Sequence, residues 1–224
     1  MALSLPPELS ELARRFLALY TGAVTDVLDR LGYMQQTLPP AIRPLREGMR
    51  LAGPAYPVEG RPRPGADYDV SIRKTLAMLG AIPPGHVAVY QTHDRSSAHL
   101  GELSVTSLKA RGCAGAVIDG GCRDVEYILR QDYPVFCRHV TPQDCTRRWE
   151  VVAHGDVSVT VGGVRVSLGD YVVADHDGVV IVPEALVTRV LEEAEAVVTT
   201  ESAVRRAVGE GMLPLEAYET YGTF

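Results

Sequence analysis

The run from Gly101 to Arg138 constrains the fold more than any other part of the chain. Gly101 to Gly112 carries helical spacing, and Ala114 to Asp119 reads as a buried strand. Gly120-Gly121-Cys122 has the text of a tight turn, Asp124 to Arg130 of a second helix, and Val135 to Arg138 of another strand. Each of these elements must bury an apolar face against another, so so close an alternation calls for a layered α/β core.

The flanking text fits such a core. Leu9, Leu12, Phe16, Leu17 and Leu19 follow a Pro-Pro start, and Val24, Val27, Leu28 and Leu31 form a second stripe before Gly32, so two short helices open the chain. Leu38 to Arg46 reads as extended connection. Leu51 to Val58 reads as a strand that Pro54 and Pro57 confine to an edge or a bend, followed by a loop from Glu59 to Gly65. Ser71 to Leu79 has helical character, and Pro83-Pro84-Gly85 turns into a strand from His86 to Gln91. After Trp149 the pattern changes to alternating apolar residues with turns at Gly162-Gly163 and Asp177-Gly178, the mark of antiparallel hairpins. With 224 residues, 46% of them apolar, and no internal repeat, one domain over 1–224 is expected, with N-terminal helices at about 8–32 and a C-terminal helix at about 183–208.

Several function classes are excluded. The 22 basic against 28 acidic side chains leave a formal charge of −6, and no basic run appears, so the term that drives nucleic-acid binding is missing. The longest apolar runs, such as Val179 to Val182, fall far short of the ~20 residues of a membrane span. Pro6, Pro7 and Glu8 stand where a signal peptide is apolar, so a soluble cytoplasmic protein without membrane partners is expected. Cys113, Cys122, Cys137 and Cys145 form no C-x-x-C pair and read as reduced, mostly buried residues. No Ser-His-Asp motif, P-loop or dinucleotide fingerprint is present.

Two places suit a small anionic ligand, because helix N-termini offer unsatisfied N–H groups. One is Gly101-Glu102-Leu103-Ser104. The other is Asp119-Gly120-Gly121-Cys122-Arg123-Asp124, where a strand ends in glycines and then presents an arginine beside an aspartate. Read alone, Asp124 is as simply an N-cap and Arg123–Asp124 a surface ion pair. His93 and His99, six apart around a Ser-rich loop, read as loop histidines rather than zinc ligands, with His99 near enough to line a pocket. Asp175-His176-Asp177-Gly178 reads as hairpin turn chemistry. Cys122 beside Arg123 shows no sign of a lowered pKa.

The text GELSVTSLKARGCAGAVIDGGCRDVEYI resembles the ribonuclease activity regulator A-like (RraA-like) family, which includes the 4-hydroxy-4-methyl-2-oxoglutarate aldolases. The resemblance extends to VTDVLDRLG, IRPL and RLAGPAYPV upstream and to DHDGVVIVPEAL downstream, about residues 20 to 195. It implies a compact, layered β/β/α fold of the swivelling type, and a homotrimer or hexamer with the site near a subunit interface. It also implies a divalent metal, Mg²⁺ or Mn²⁺, coordinated by Asp124 and reached by Glu102 through water. Arg123 would contact a 2-oxo acid, and backbone amides of the Gly101 to Ser104 turn, at Leu103 and Ser104, would hold its carboxylate. The implied activity is a metal-dependent aldolase that cleaves a 4-hydroxy-2-oxo (di)acid to pyruvate, with oxaloacetate decarboxylation as a side activity. The family also implies two alternatives: a non-catalytic regulator that binds a ribonuclease, and a lyase for a sugar-derived acid.

Departures from the family pattern are specific. Tyr127 occupies a position that is usually acidic, with Glu126 one place earlier, and an acidic contact from a neighbouring subunit cannot be assigned among Glu192, Glu193, Glu195 and Glu201. Cleavage beside a 2-oxo group leaves an enolate, which a metal and an arginine stabilise. A water positioned by Glu102 is the expected base. Schiff-base chemistry is disfavoured, since the only lysines are Lys74 and Lys109 and neither has an evident desolvated setting. The loop from Glu59 to Ala66 is expected to shape the pocket.

Overall fold

Both N-terminal helices form where their apolar spacing places them. In this computed structural model α1 (Pro7–Ala18) and α2 (Thr21–Arg30) turn Phe16, Val24, Val27 and Leu28 inward. The structure describes residues 7–224, with side chains from residue 11; Pro6 of the Pro-Pro start and the Leu9 side chain lie outside the described residues.

The main sheet is built from β1 (Arg43–Pro44), β2 (Leu51–Pro62), β3 (Val87–Gln91), β4 (Ala98–Leu100), β5 (Gly115–Cys122), β6 (Val135–Val140) and β7 (Trp149–His154), joined by β10 (Tyr171–Ala174) and β11 (Val179–Val182). Its order is β1-β6-β5-β3-β2-β10-β11, with β4 paired to β5 and β7 to β2. Strands β2, β3, β5 and β6 run parallel, and β2 pairs antiparallel with β7 and β10. A separate hairpin, β8 (Ser158–Val161) with β9 (Val164–Ser167), packs beside it. Helices α3 (Tyr68–Ala81), α4 (Glu102–Ala110) and α5 (Val125–Arg130) lie on one side of the parallel strands, while α6 (Val187–Gly209) and α7 (Pro214–Tyr221) end the chain. This nearly closed, barrel-like sheet with flanking helices is the layered β/β/α fold of the swivelling type.

The two faces of the parallel strands are both buried, which is why their text is continuously apolar. Ala88, Tyr90, Ala116 and Ile118 face α3, α4 and α5, whereas Val87, Val89 and Val117 face the β8–β9 hairpin. A third cluster joins Phe16, Val27 and Leu28 to Tyr171, Val190 and Leu191, so α6 closes over the opening helices.

Three expectations are corrected. Strand β2 is neither edge nor bent short: it is a central strand that changes partners along its length. Pro54 precedes the start of pairing with β3 at Ala55, and on the other side the neighbouring Ala55 N–H donates to Asp170. Pro57 falls in the gap between β10, which pairs as far as Pro54, and β7, which pairs from Val58, so its missing N–H leaves no ladder bond unmade. The expected loop after Glu59 is therefore strand as far as Pro62, paired to β7, and does not line the cleft described below. Lastly, Gly120-Gly121-Cys122 is not a turn but the buried end of β5.

The hairpins appear as expected, and all four cysteines are buried free thiols. Among the described residues no helix is long and apolar enough to cross a membrane.

Candidate active site

The glycines at the end of β5 exist to let other groups approach. A Cβ on Gly120 would stand 2.7 Å from His99 Nδ1 and 2.8 Å from Thr92 Oγ1, and one on Gly121 would stand 2.4 Å from the Ser97 carbonyl and 2.7 Å from His139 Nε2. Short strand β4 can therefore lie against β5, with Ala98 opposite Gly121 and Leu100 opposite Cys122. That pairing brings the start of α4 beside the end of β5, and the two places singled out in the sequence become one site.

Asp124 sits at the N-cap position of α5 with φ 58° and ψ 34°, left-handed backbone that few side chains adopt and that costs of order 1 kcal/mol. Its carboxylate does not cap α5. Instead Oδ2 accepts the Glu102 N–H at 3.1 Å, at the start of α4. Gly101 permits this approach, since a Cβ there would lie 2.6 Å from Asp124 Oδ2 and 3.2 Å from Arg123 Nε. The Arg123 amide donates to the Leu100 carbonyl at 3.0 Å, fixing the residue to β4. Its guanidinium lies 3.6 Å from Asp124 and 3.4 Å from Asp144, yet among the described residues it donates no hydrogen bond, which leaves its N–H groups for an anion.

These groups open onto a cleft of about 270 Å³ between α3 and α4, lined on its polar side by Gly101, Ser104, Arg123, Asp124 and Asp144, and opposite by Ile72 and Leu76. Leu103 also lines it with an exposed side chain. Asp144 was missed in the sequence: it lies in a loop with ordinary turn chemistry, and only tertiary pairing to Ala98 brings it here. A larger concavity of about 530 Å³ lies at Arg43, Arg46 and His176, but it holds no such constellation, and Arg43 is spent on the carbonyls of His176 and Asp177.

The remaining candidates, His99 excepted, lie outside the cleft. Glu102 does not line the cleft: its Oε1 accepts from Thr106 Oγ1 at 2.8 Å and from Gln131 Nε2 at 3.3 Å. Tyr127 is exposed under the Arg130 guanidinium, and Glu126 pairs with Arg130, so neither enters the cleft. On α6, Glu193 pairs with Arg189, Glu195 with Arg15, and Glu201 with Tyr20. His93 is an exposed loop residue. His99 lines the cleft from β4, but its ring is buried edge-on to Trp149 and 3.3 Å from Asp94 Oδ2, off hydrogen-bond geometry. Burial pushes its pKa down to about 4 against the pull of Asp94, so it is neutral at pH 7. The neighbouring Cys137 sulfur and burial push the Cys122 thiol far up, which leaves it unreactive.

The family model described as RraA-like, Aldolase/RraA, matches residues 21–181. A Halalkalibacterium halodurans protein, named provisionally as a 4-hydroxy-4-methyl-2-oxoglutarate aldolase, is 29% identical over 208 residues, 91% of either chain. Among solved structures, Streptomyces coelicolor RraAS2, described as an unusual member of the RNase ES inhibitor RraA family, is 30% identical with a TM-score of 0.79, over 88% of this chain and 97% of that one. A structure described among novel cellulases from gut-associated microbes is also 30% identical, with a TM-score of 0.82 over 91% and 90%.

Proposed function

We propose, from the premise that this chain belongs to the RraA-like family, that it is a carbon–carbon lyase releasing pyruvate from a 4-hydroxy-2-oxo acid, with oxaloacetate decarboxylation as a side activity. The observation that carries the reading is the convergence of the α4 N-terminus, the Arg123 guanidinium and the Asp124 carboxylate on one cleft. The provisional aldolase name of the Halalkalibacterium halodurans relative supports it.

In this reading the substrate carboxylate lies at the N–H groups of Leu103 and Ser104, where the helix dipole favours a negative charge. Arg123, with its guanidinium N–H groups unspent, faces the 2-oxo oxygen and stabilises the enolate charge that develops there. Mg²⁺ or Mn²⁺ is the proposed metal. Among the described residues no group of three His, Cys, Asp or Glu can hold a metal, so a fit rests on one carboxylate, Asp124, with waters and substrate oxygens, which is a habit of Mg²⁺. Glu102 would reach the metal through water after releasing Thr106 and Gln131. When bound, the metal supplies Lewis-acid stabilisation of the same oxygen.

The assembly proposed is a homotrimer, or a hexamer of two trimers. Leu76, Leu103 and Tyr127 near the cleft are exposed apolar side chains that a second copy would cover. A purely regulatory role would leave the Arg123 guanidinium, which donates no hydrogen bond among the described residues, and the strained Asp124 without a use.

The deciding experiment measures pyruvate release from oxaloacetate and from 4-hydroxy-4-methyl-2-oxoglutarate, with Mg²⁺, with Mn²⁺ and with EDTA. Release that EDTA abolishes is expected, and Arg123→Ala or Asp124→Ala should each lower kcat/KM at least 100-fold. No release from either substrate with any metal would move the assignment to the ribonuclease regulator or to a sugar-acid lyase.

A further inference from the structure

The cleft holds two carboxylates, and one of them has been given no work. Asp124 Oδ2 is committed to the first N–H of α4. Asp144 stands on the other side of Arg123, with Oδ1 3.4 Å from Nη1. Its second oxygen accepts the Thr146 N–H at 3.0 Å, its carbonyl accepts Arg148 Nη1 at 3.0 Å, and its backbone bridges Ala98 in β4. The carboxylate is thus fixed at the cleft by its own loop and by the strand that leads into Gly101. Oδ1 accepts no hydrogen bond among the described residues, so its lone pairs remain for a donor on a ligand. Glu102, whose water was the expected base, is turned toward Thr106 and Gln131, outside the cleft.

Resting on the lyase reading above, we propose that Asp144 is the general base and acid of carbon–carbon cleavage. Oδ1 takes the proton from the hydroxyl on C4. That C–O bond becomes a carbonyl as the C3–C4 bond breaks, and the electron pair of the broken bond moves into the C2–C3 enolate, whose oxygen faces Arg123. The proton now on Asp144 passes to C3, which yields pyruvate and restores the carboxylate. Oxaloacetate forms the same enolate by losing CO₂, again with the C3–C4 electron pair, but has no hydroxyl proton to remove. A base at C4 is required by one reaction and not by the other.

Asp144→Asn tests this, because its amide oxygen still accepts the Thr146 N–H and holds the loop. With Mg²⁺ or Mn²⁺ present, kcat/KM for 4-hydroxy-4-methyl-2-oxoglutarate should fall about 10²- to 10⁴-fold, at least about tenfold more than oxaloacetate loss, which shares the Arg123 contact but needs no base at C4. Asp144→Glu should recover at least tenfold over the Asn variant. Undiminished cleavage in Asp144→Asn, or equal loss of both activities, would overturn the proposal, as would the split appearing in Glu102→Gln instead. Wild-type protein lacking both activities is a separate failure, which removes the lyase reading and this proposal with it.

Discussion

At the scale of single residues, the site depends on what is absent from Gly101 as much as on what is present at Asp124. Gly101→Ala would push a methyl to within 2.6 Å of Asp124 Oδ2, a group on a strained backbone that can move. The expected result is at least a tenfold loss of kcat/KM for oxaloacetate with a nearly unchanged melting temperature, since the contact is with a half-exposed side chain. A residue behind the site sets a pH limit. Unfolded His99 binds a proton near 6.5, whereas the folded ring, enclosed by Trp149, Asp94 and His139, does so only near 4. Between those values the unfolded chain holds the extra proton, so stability falls as pH drops from about 6.5 to 4, by about 3 kcal/mol in all. Urea unfolding across that range should show the slope, and His99→Gln should flatten it. Arg123 and Asp124 were legible in the sequence because a strand end announces them locally. Asp144 was not, since nothing in its loop differs from an ordinary Asx turn until Ala98 is brought beside it.

Among the elements, those whose signal is internal were readable, and those defined by a neighbour were not. The β8–β9 and β10–β11 hairpins carry their alternation and their glycine turns within a few residues. Strand β4 is only Ala98–Leu100, and it exists because Gly121 has no side chain to hold it off. The proline rule misplaced β2 because it assumes one partner per side, whereas this strand changes partner at Pro57. Asp175 shows a residue serving two elements. It makes the turn contact its sequence predicts, accepting the Asp177 N–H, but its carboxylate also caps α2, accepting from the Thr21 N–H and Oγ1 at 2.8 Å each. Tyr20, at the N-cap position itself, provides no side-chain cap. Asp175→Ala should therefore cost about 1–2 kcal/mol in denaturant unfolding, with Asp175→Asn recovering part of it. A loss below about 0.3 kcal/mol would mean that the α2 N-terminus is held by packing alone.

The whole molecule is held in three apolar layers, but its site lies at an edge of them, between α3 and α4 and beneath exposed Leu76 and Leu103. A monomer leaves this apolar rim in water, at a cost of roughly 25 cal/mol for each Å² that an assembly would bury. The proposed trimer would remove that cost if another chain covered the rim, and an acidic contact of the kind the family implies would then come from a different copy. On α6 the pairings of Glu193, Glu195 and Glu201 lie within their own chain, whereas Glu192 is exposed and makes no side-chain pairing among the described residues, so such a contact would come from Glu192 or require one of the other pairings to open. Assembly and activity should then be coupled. Sedimentation of the 24.2-kDa chain at micromolar concentration should show three or six copies, and on dilution pyruvate release per chain should fall with the same midpoint as the assembly dissociates. Full activity in a sedimenting monomer would mean that Arg123, Asp124 and the α4 N-terminus suffice within one chain.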